Sequence, residues 1–151
     1  MNYFSNLNNH SRVWIYPASR ELTIEECKII LSELNSFVQT WDSHGAELKA
    51  AVEIIENQFV VIAVDENIES PSGCSIDRSV KKMKQIGTSI SVDFFNRLKM
   101  VVKNDLDKKT ISFSELEKYT DWKVFNPLVK SVKELNESFL IPVTESGLVS
   151  L

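Results

Sequence analysis

The chain has 151 residues, of which 43% are apolar and 25% charged. That is enough for one domain burying about 70% of the surface its unfolded form exposes. Its net charge of −4 and pI near 5.3 argue against a general nucleic-acid binder, whose affinity comes from neutralising phosphates with excess Lys and Arg. A small anionic ligand needs only a local concentration of positive charge. No run approaches the ~20 apolar residues of a membrane helix. The segment Met1-Asn2-Tyr3-Phe4-Ser5-Asn6 lacks the basic and apolar regions of a secretion signal, so a cytoplasmic location without a membrane segment is expected.

Residues 1–10 read as a frayed terminus. Arg12 to Tyr16 alternates Val13 and Ile15 with Trp14 and Tyr16, which predicts an interior strand ending before Pro17. Thr23-Ile24-Glu25-Glu26 offers a capping box. Ile24, Cys27, Ile30, Leu31, Leu34, Phe37, Val38 and Trp41 then follow at spacings of three and four, predicting a helix that ends around Asp42 to Gly45. Ala50 to Ile55 and Phe59 to Val64 read as a hairpin across Glu56-Asn57-Gln58. The second strand is apolar throughout and therefore expected to be covered on both faces.

Asp65 to Gly73 reads as a loop. A second helix is marked by Ile76, Val80, Met83 and Ile86, with Ser75 as its cap and Gly87 past its end. Leu98 to Val102 and Thr110 to Phe113 predict a further hairpin across Asn104 to Lys108. Residues 114–151 read as a helical extension, from the capping-box patterns Ser114-Glu115-Leu116-Glu117 and Ser131-Val132-Lys133-Glu134. The expected fold is α+β in a single domain, residues 1–151, with helices on one face of an antiparallel sheet. The order strand, helix, strand, strand, helix, strand is that of a ferredoxin-like βαββαβ core.

The segment Ser72-Gly73-Cys74-Ser75-Ile76-Asp77-Arg78 opens straight into a helix. Free N–H groups at the positive end of a helix dipole can hold an anion or stabilise a thiolate. Two uses follow beside plain helix capping. Gly73, Cys74, Ser75, Asp77 and Arg78 form a seat for an anionic small molecule or a partner protein. Alternatively, Cys74 is the nucleophile of a cysteine-dependent enzyme, with His44 or Asp65 as base. His44 also reads as a C-terminal helix cap and Asp65 as a solvated strand end. Asp65, Glu66, Glu69 and Asp77 match no metal-loop spacing, so no metal is expected. The two cysteines suggest neither a disulfide framework nor a zinc site. No phosphate loop, nucleophile elbow or dinucleotide fingerprint is present, and no cofactor is expected. A non-catalytic binding module that acts through the Gly73–Arg78 turn and the sheet edge is the leading expectation, and an open sheet edge is also a route to a homodimer.

Ser11-Arg12-Val13-Trp14-Ile15-Tyr16, Trp41-Asp42-Ser43-His44-Gly45, Ala63-Val64-Asp65-Glu66, Gly73 to Val80 and Val124-Phe125-Asn126-Pro127-Leu128-Val129 together resemble a family of small bacterial proteins often labelled "ABC transporter ATPase". The resemblance spans nearly the whole chain. It implies that function be sought at the Trp-x-x-His-Gly segment, the Val-Asp-Glu strand end and the Gly-Cys-Ser-Ile-Asp turn, and it assigns none of them a role. ATP chemistry is not expected, because nothing in the chain can wrap nucleotide phosphates.

Overall fold

The computed structural model describes residues 2–150. Its elements are β1 (Arg12–Pro17), α1 (Ile24–Gln39), β2 (Asp42–Ser43), β3 (Ala46–Glu47), β4 (Ala50–Ile55), β5 (Phe59–Val64), α2 (Gly73–Ile90), β6 (Lys99–Lys103), β7 (Lys108–Ser112), β8 (Lys123–Phe125), α3 (Val132–Ser138) and β9 (Leu140–Pro142). Short 3₁₀ segments occupy Phe113–Tyr119 and Val143–Glu145. The strands form antiparallel sheets β1-β5-β4 and β7-β6-β8-β9 and a small β2-β3 hairpin, an α+β fold as the element pattern predicts.

β5 is buried along its whole length. Its pleat sends Val60, Ile62 and Val64 into a core with Ile30, Leu34, Trp41, Met83 and Ile86 of the helical layer. Phe59, Val61 and Ala63 face the other way, against Val101, Phe125, Leu135 and Phe139. A third cluster, with Met100, Val102, Leu116 and Val124, lies on the far face of the second sheet. The order of layers is therefore helices, first sheet, second sheet, 3₁₀ turns. A strand without polar positions belongs in the middle of such a stack, since neither face meets water.

With the β2-β3 hairpin inserted after α1, the elements β1, α1, β4, β5 and α2 keep the ferredoxin-like order, but the expected last strand does not. β6 would have to lie beside β1, and the start of that edge is already taken. Val13 N–H donates to the Lys130 carbonyl at 3.0 Å, and Val132 N–H donates to the Ser11 carbonyl at 2.9 Å. β6 instead pairs with β7 and β8. β1 is thus an edge strand of its sheet, its outer side covered at residues 11–13, not an interior strand. The segment read as a helical extension supplies β8 and β9, which complete the second sheet. Tyr3 and Phe4, in the segment read as frayed, are pinned. Phe4 is buried, Tyr3 N–H donates to Asn136 Oδ1, and Asn136 Nδ2 returns a bond to the Tyr3 carbonyl.

α1 starts where its sequence predicts, with a reciprocal Thr23–Glu26 capping box. The Arg20 guanidinium, helped by the Thr23 backbone, holds the Glu26 carboxyl down to about 2. α2 differs from expectation at both ends. Its cap is Ser72, whose Oγ accepts from Ser75 N–H. It runs past Gly87 to Ile90 and ends when Ser91 takes the left-handed conformation, φ 58°. Gly87 serves close approach instead of termination, because a Cβ there would meet the Val92 carbonyl oxygen at 2.5 Å.

Two changes test this frame. Gln58 is buried, and its Nε2 donates to the Ala18 carbonyl and to Thr110 Oγ1. Gln58→Ala should cost about 2–4 kcal/mol, from the lost bonds and the void. Gly87→Ala gains about 1 kcal/mol of helix propensity but meets a backbone atom that cannot rotate away, so overpacking of about 1–3 kcal/mol should win. Urea unfolding midpoints measure both.

Candidate functional site

The sequence-predicted site residues fall into one junction and one outlier. His44 and Gly45 form the two-residue tip of the β2-β3 hairpin, with φ of 52° and 83°. Two successive positive values are what a type I′ turn demands. His44 is therefore an exposed hairpin residue and not a helix cap, since α1 has already ended at Thr40. This hairpin packs on the first turn of α2. Ser75 Oγ donates to the Asp42 carbonyl at 2.7 Å, and Arg78 donates to the same oxygen at 2.6 Å. A second Arg78 contact reaches the Asp42 carboxylate at 2.8 Å, and the buried Trp41 Nε1 donates to the Ser75 carbonyl at 2.9 Å.

Ser75 is fully buried, and its hydroxyl is also shared with Ser72 in the cap. Arg78 and the Gly45 N–H hold the Asp42 carboxyl below its ordinary range. Gly73, Cys74 and Asp77 are exposed. The junction thus gathers Asp42, Ser75 and Arg78 into a brace, with Cys74 on its outer side. Asp65 stands apart at the end of β5. Its backbone N–H donates to the Lys49 carbonyl and its carboxylate accepts from Asn67 N–H at 3.0 Å. No hydrogen bond joins Cys74 to His44 or Asp65 among the described residues. Nor does any group of three or more His, Cys, Asp or Glu side chains gather there in a form that could hold a metal. The other thiol, Cys27, is pushed up by burial, with Glu26 and Glu21 adding to the effect.

A concavity lies at the other end of α2. An open groove of about 660 Å³ is bounded by the last turns of α2 and residues 91–95, with Met83, Val92 and Phe94 beneath and Lys84, Asp93 and Phe95 at its rim. The Lys84 ammonium stands 5.5 Å over the Phe95 ring, which in turn meets Tyr16 edge-on at 5.8 Å. Asp93 is fixed by Ser19, whose N–H donates to its carbonyl and whose Oγ accepts from its N–H. Its carboxylate accepts from Phe95 N–H at 2.8 Å. Sequence reading missed this groove. Lys84 lies on the exposed face of α2, but the Ser91 turn that folds Val92 to Phe95 back onto α2 carries no composition signal.

No family model, no curated protein and no solved structure matches this chain. Among the described residues no helix is long and apolar enough to cross a membrane.

The Arg78–Asp42 pair has a pH signature. A depressed folded-state pKa contributes stability that is complete above the unfolded aspartate value of about 3.9 and lost as pH falls through the lower folded value. Asp42→Asn should therefore be less stable than the parent near neutrality, with the difference vanishing in strong acid. Chemical denaturation at a series of pH values checks this. A gap that persists unchanged at the acid end would show that the carboxylate charge is not what matters.

Proposed function

We propose that the protein is a non-catalytic binding module for a small amphipathic anion, an apolar or aromatic body carrying one acidic group, seated in the groove between the end of α2 and residues 91–95. The observation that carries this reading is the pairing of an apolar floor, Met83, Val92 and Phe94, with the Lys84 ammonium over Phe95 at its rim. A ligand of that kind buries its body on the floor and places its acid beside the Lys84 ammonium. The ligand class is that expected from the sequence, while its seat is at the opposite end of the same helix. The start of α2 serves less well because the Arg78 guanidinium and the Ser75 hydroxyl are engaged with Asp42.

Anilinonaphthalene sulfonate, an aromatic body with one acidic group, is a suitable fluorescent probe. It should bind the folded protein at one site. Lys84→Gln should weaken binding about fivefold and Phe95→Ala about tenfold, while Arg78→Gln should leave it unchanged. Weakening by Arg78→Gln alone would return the site to the start of α2, and equal binding by all three variants would remove the groove from consideration.

A further inference from the structure

The groove at the end of α2 is lined by charges of both signs. Lys84 brings a cation to its rim and Asp93 a carboxylate. Among the described residues neither takes part in an ion pair, with the other or with any further side chain. Both stand against one residue. The Lys84 ammonium lies over the Phe95 ring, and the Asp93 carboxylate accepts from the Phe95 N–H, so a single small molecule resting on Phe95 reaches the two together.

The carboxylate is fixed in advance. Ser19 bonds both backbone groups of Asp93, and the Asp93 side chain bonds the backbone two residues on, as aspartates do in turns. A group ordered before a ligand arrives loses little freedom on binding. At the start of α2 the opposite holds, because Arg78 and Asp42 already neutralise each other.

The helix adds a second negative contribution. Aligned backbone dipoles give the C-terminal end of an α-helix a partial negative charge that favours cations, and Gly87, Thr88 and Ser91 of that end line the groove. The last turn of α2 contains no basic residue. Arg20 reaches the Ile90 carbonyl at 3.1 Å, yet its charge is taken up by Glu26 at 2.7 Å and it does not line the groove. A ligand with an acid alone gains from Lys84 and is opposed by Asp93 and the helix end, whereas one that also carries a cation gains from all three.

We infer that the ligand of this groove carries an amine beside its acid: an apolar or aromatic amino acid, whose ammonium meets Asp93, whose carboxylate meets Lys84 and whose side chain lies on Met83, Val92 and Phe94. This rests on the groove being the binding site and adds the cation to the ligand proposed for it. Asp93 is then the residue that sets specificity. It attracts the ammonium and repels a second acidic group in the same place, so that selection uses an unfavourable contact as well as a favourable one.

Three probes share a benzyl body and a carboxylate and differ only in one substituent on the carbon next to that carboxylate. It is hydrogen in 3-phenylpropanoate, an ammonium in phenylalanine and a second carboxylate in benzylmalonate. Displacement of bound anilinonaphthalene sulfonate at neutral pH ranks them. On the parent chain phenylalanine should bind about threefold tighter than 3-phenylpropanoate and benzylmalonate about threefold weaker. Asp93→Asn keeps an oxygen to accept from the Phe95 N–H while removing the charge, and should erase both differences without weakening 3-phenylpropanoate. The ranking on the parent chain needs no substitution, so the test survives a variant that fails to fold. Phenylalanine that displaces the fluorophore no better than 3-phenylpropanoate overturns the amine and leaves the groove reading standing, as does an order that survives Asp93→Asn with 3-phenylpropanoate still bound. A fluorophore whose binding ignores Lys84→Gln and Phe95→Ala overturns both.

Discussion

The layers of this protein meet at the tip of the β4-β5 hairpin. Glu56 and Asn57 both adopt positive φ, 56° and 51°, so the turn is tight and its carbonyls point outward. Leu22 N–H donates to the Asn57 carbonyl and Ala18 N–H to the Gln58 carbonyl, each at 2.7 Å, which ties the start of the helical layer to the tip. The second sheet grips it from the other side, through Lys103 on the Glu56 carboxylate at 2.6 Å, Lys108 on the Glu56 carbonyl at 2.7 Å and Thr110 on Gln58. Gln58 bonds both layers, to Ala18 on one side and Thr110 on the other. A buried amide with partners on two elements fixes their offset, because sliding either layer would strand a polar group away from water.

That constraint explains why the second sheet exists as a separate layer. Phe59, Val61 and Ala63 must be covered on the face away from the helices, and one more strand at the edge of the first sheet could not cover a face. β6 and β8 with α3 do so, bringing Phe125 and Phe139 within 5.0 Å of the Phe59 ring. The same demand draws the N-terminal residues into the core, where Phe4 joins this cluster. The two ends of α2 diverge in consequence. Its start is locked to the β2-β3 hairpin, whereas its end, freed by the left-handed Ser91, leaves a groove between helix and loop.

The features singled out in the sequence around Cys74 are real structural signals with a mechanical use. Small residues at a helix start cap the helix whether or not a ligand is present. Here the serines and Arg78 are consumed in holding a hairpin. Arg78 and the Gly45 N–H hold the Asp42 carboxylate, and the adjacent Cys74 thiol is exposed, with no hydrogen bond to His44 or Asp65 among the described residues. The groove at the other end was illegible because its parts, Met83, Lys84, Asp93 and Phe95, come from a helix face and a following loop whose relative placement depends on Gly87 allowing Val92 to approach.

What the sequence by itself determined is local. Periodicity and capping placed α1 and its Thr23 cap, an unbroken apolar run marked β5 as covered on both faces, and Ser131 announced α3. These readings succeed because hydrogen-bonding partners three residues apart, or alternate residues of one strand, decide the conformation before any distant contact forms. Tertiary structure alone decided which strands share a sheet, that the last third of the chain supplies strands as well as helices, and that Arg78 serves Asp42. Each of those depends on competition for one place: residues 130–132 took the edge of β1 that β6 would have needed. No residue pattern within either segment records which of them reaches that edge.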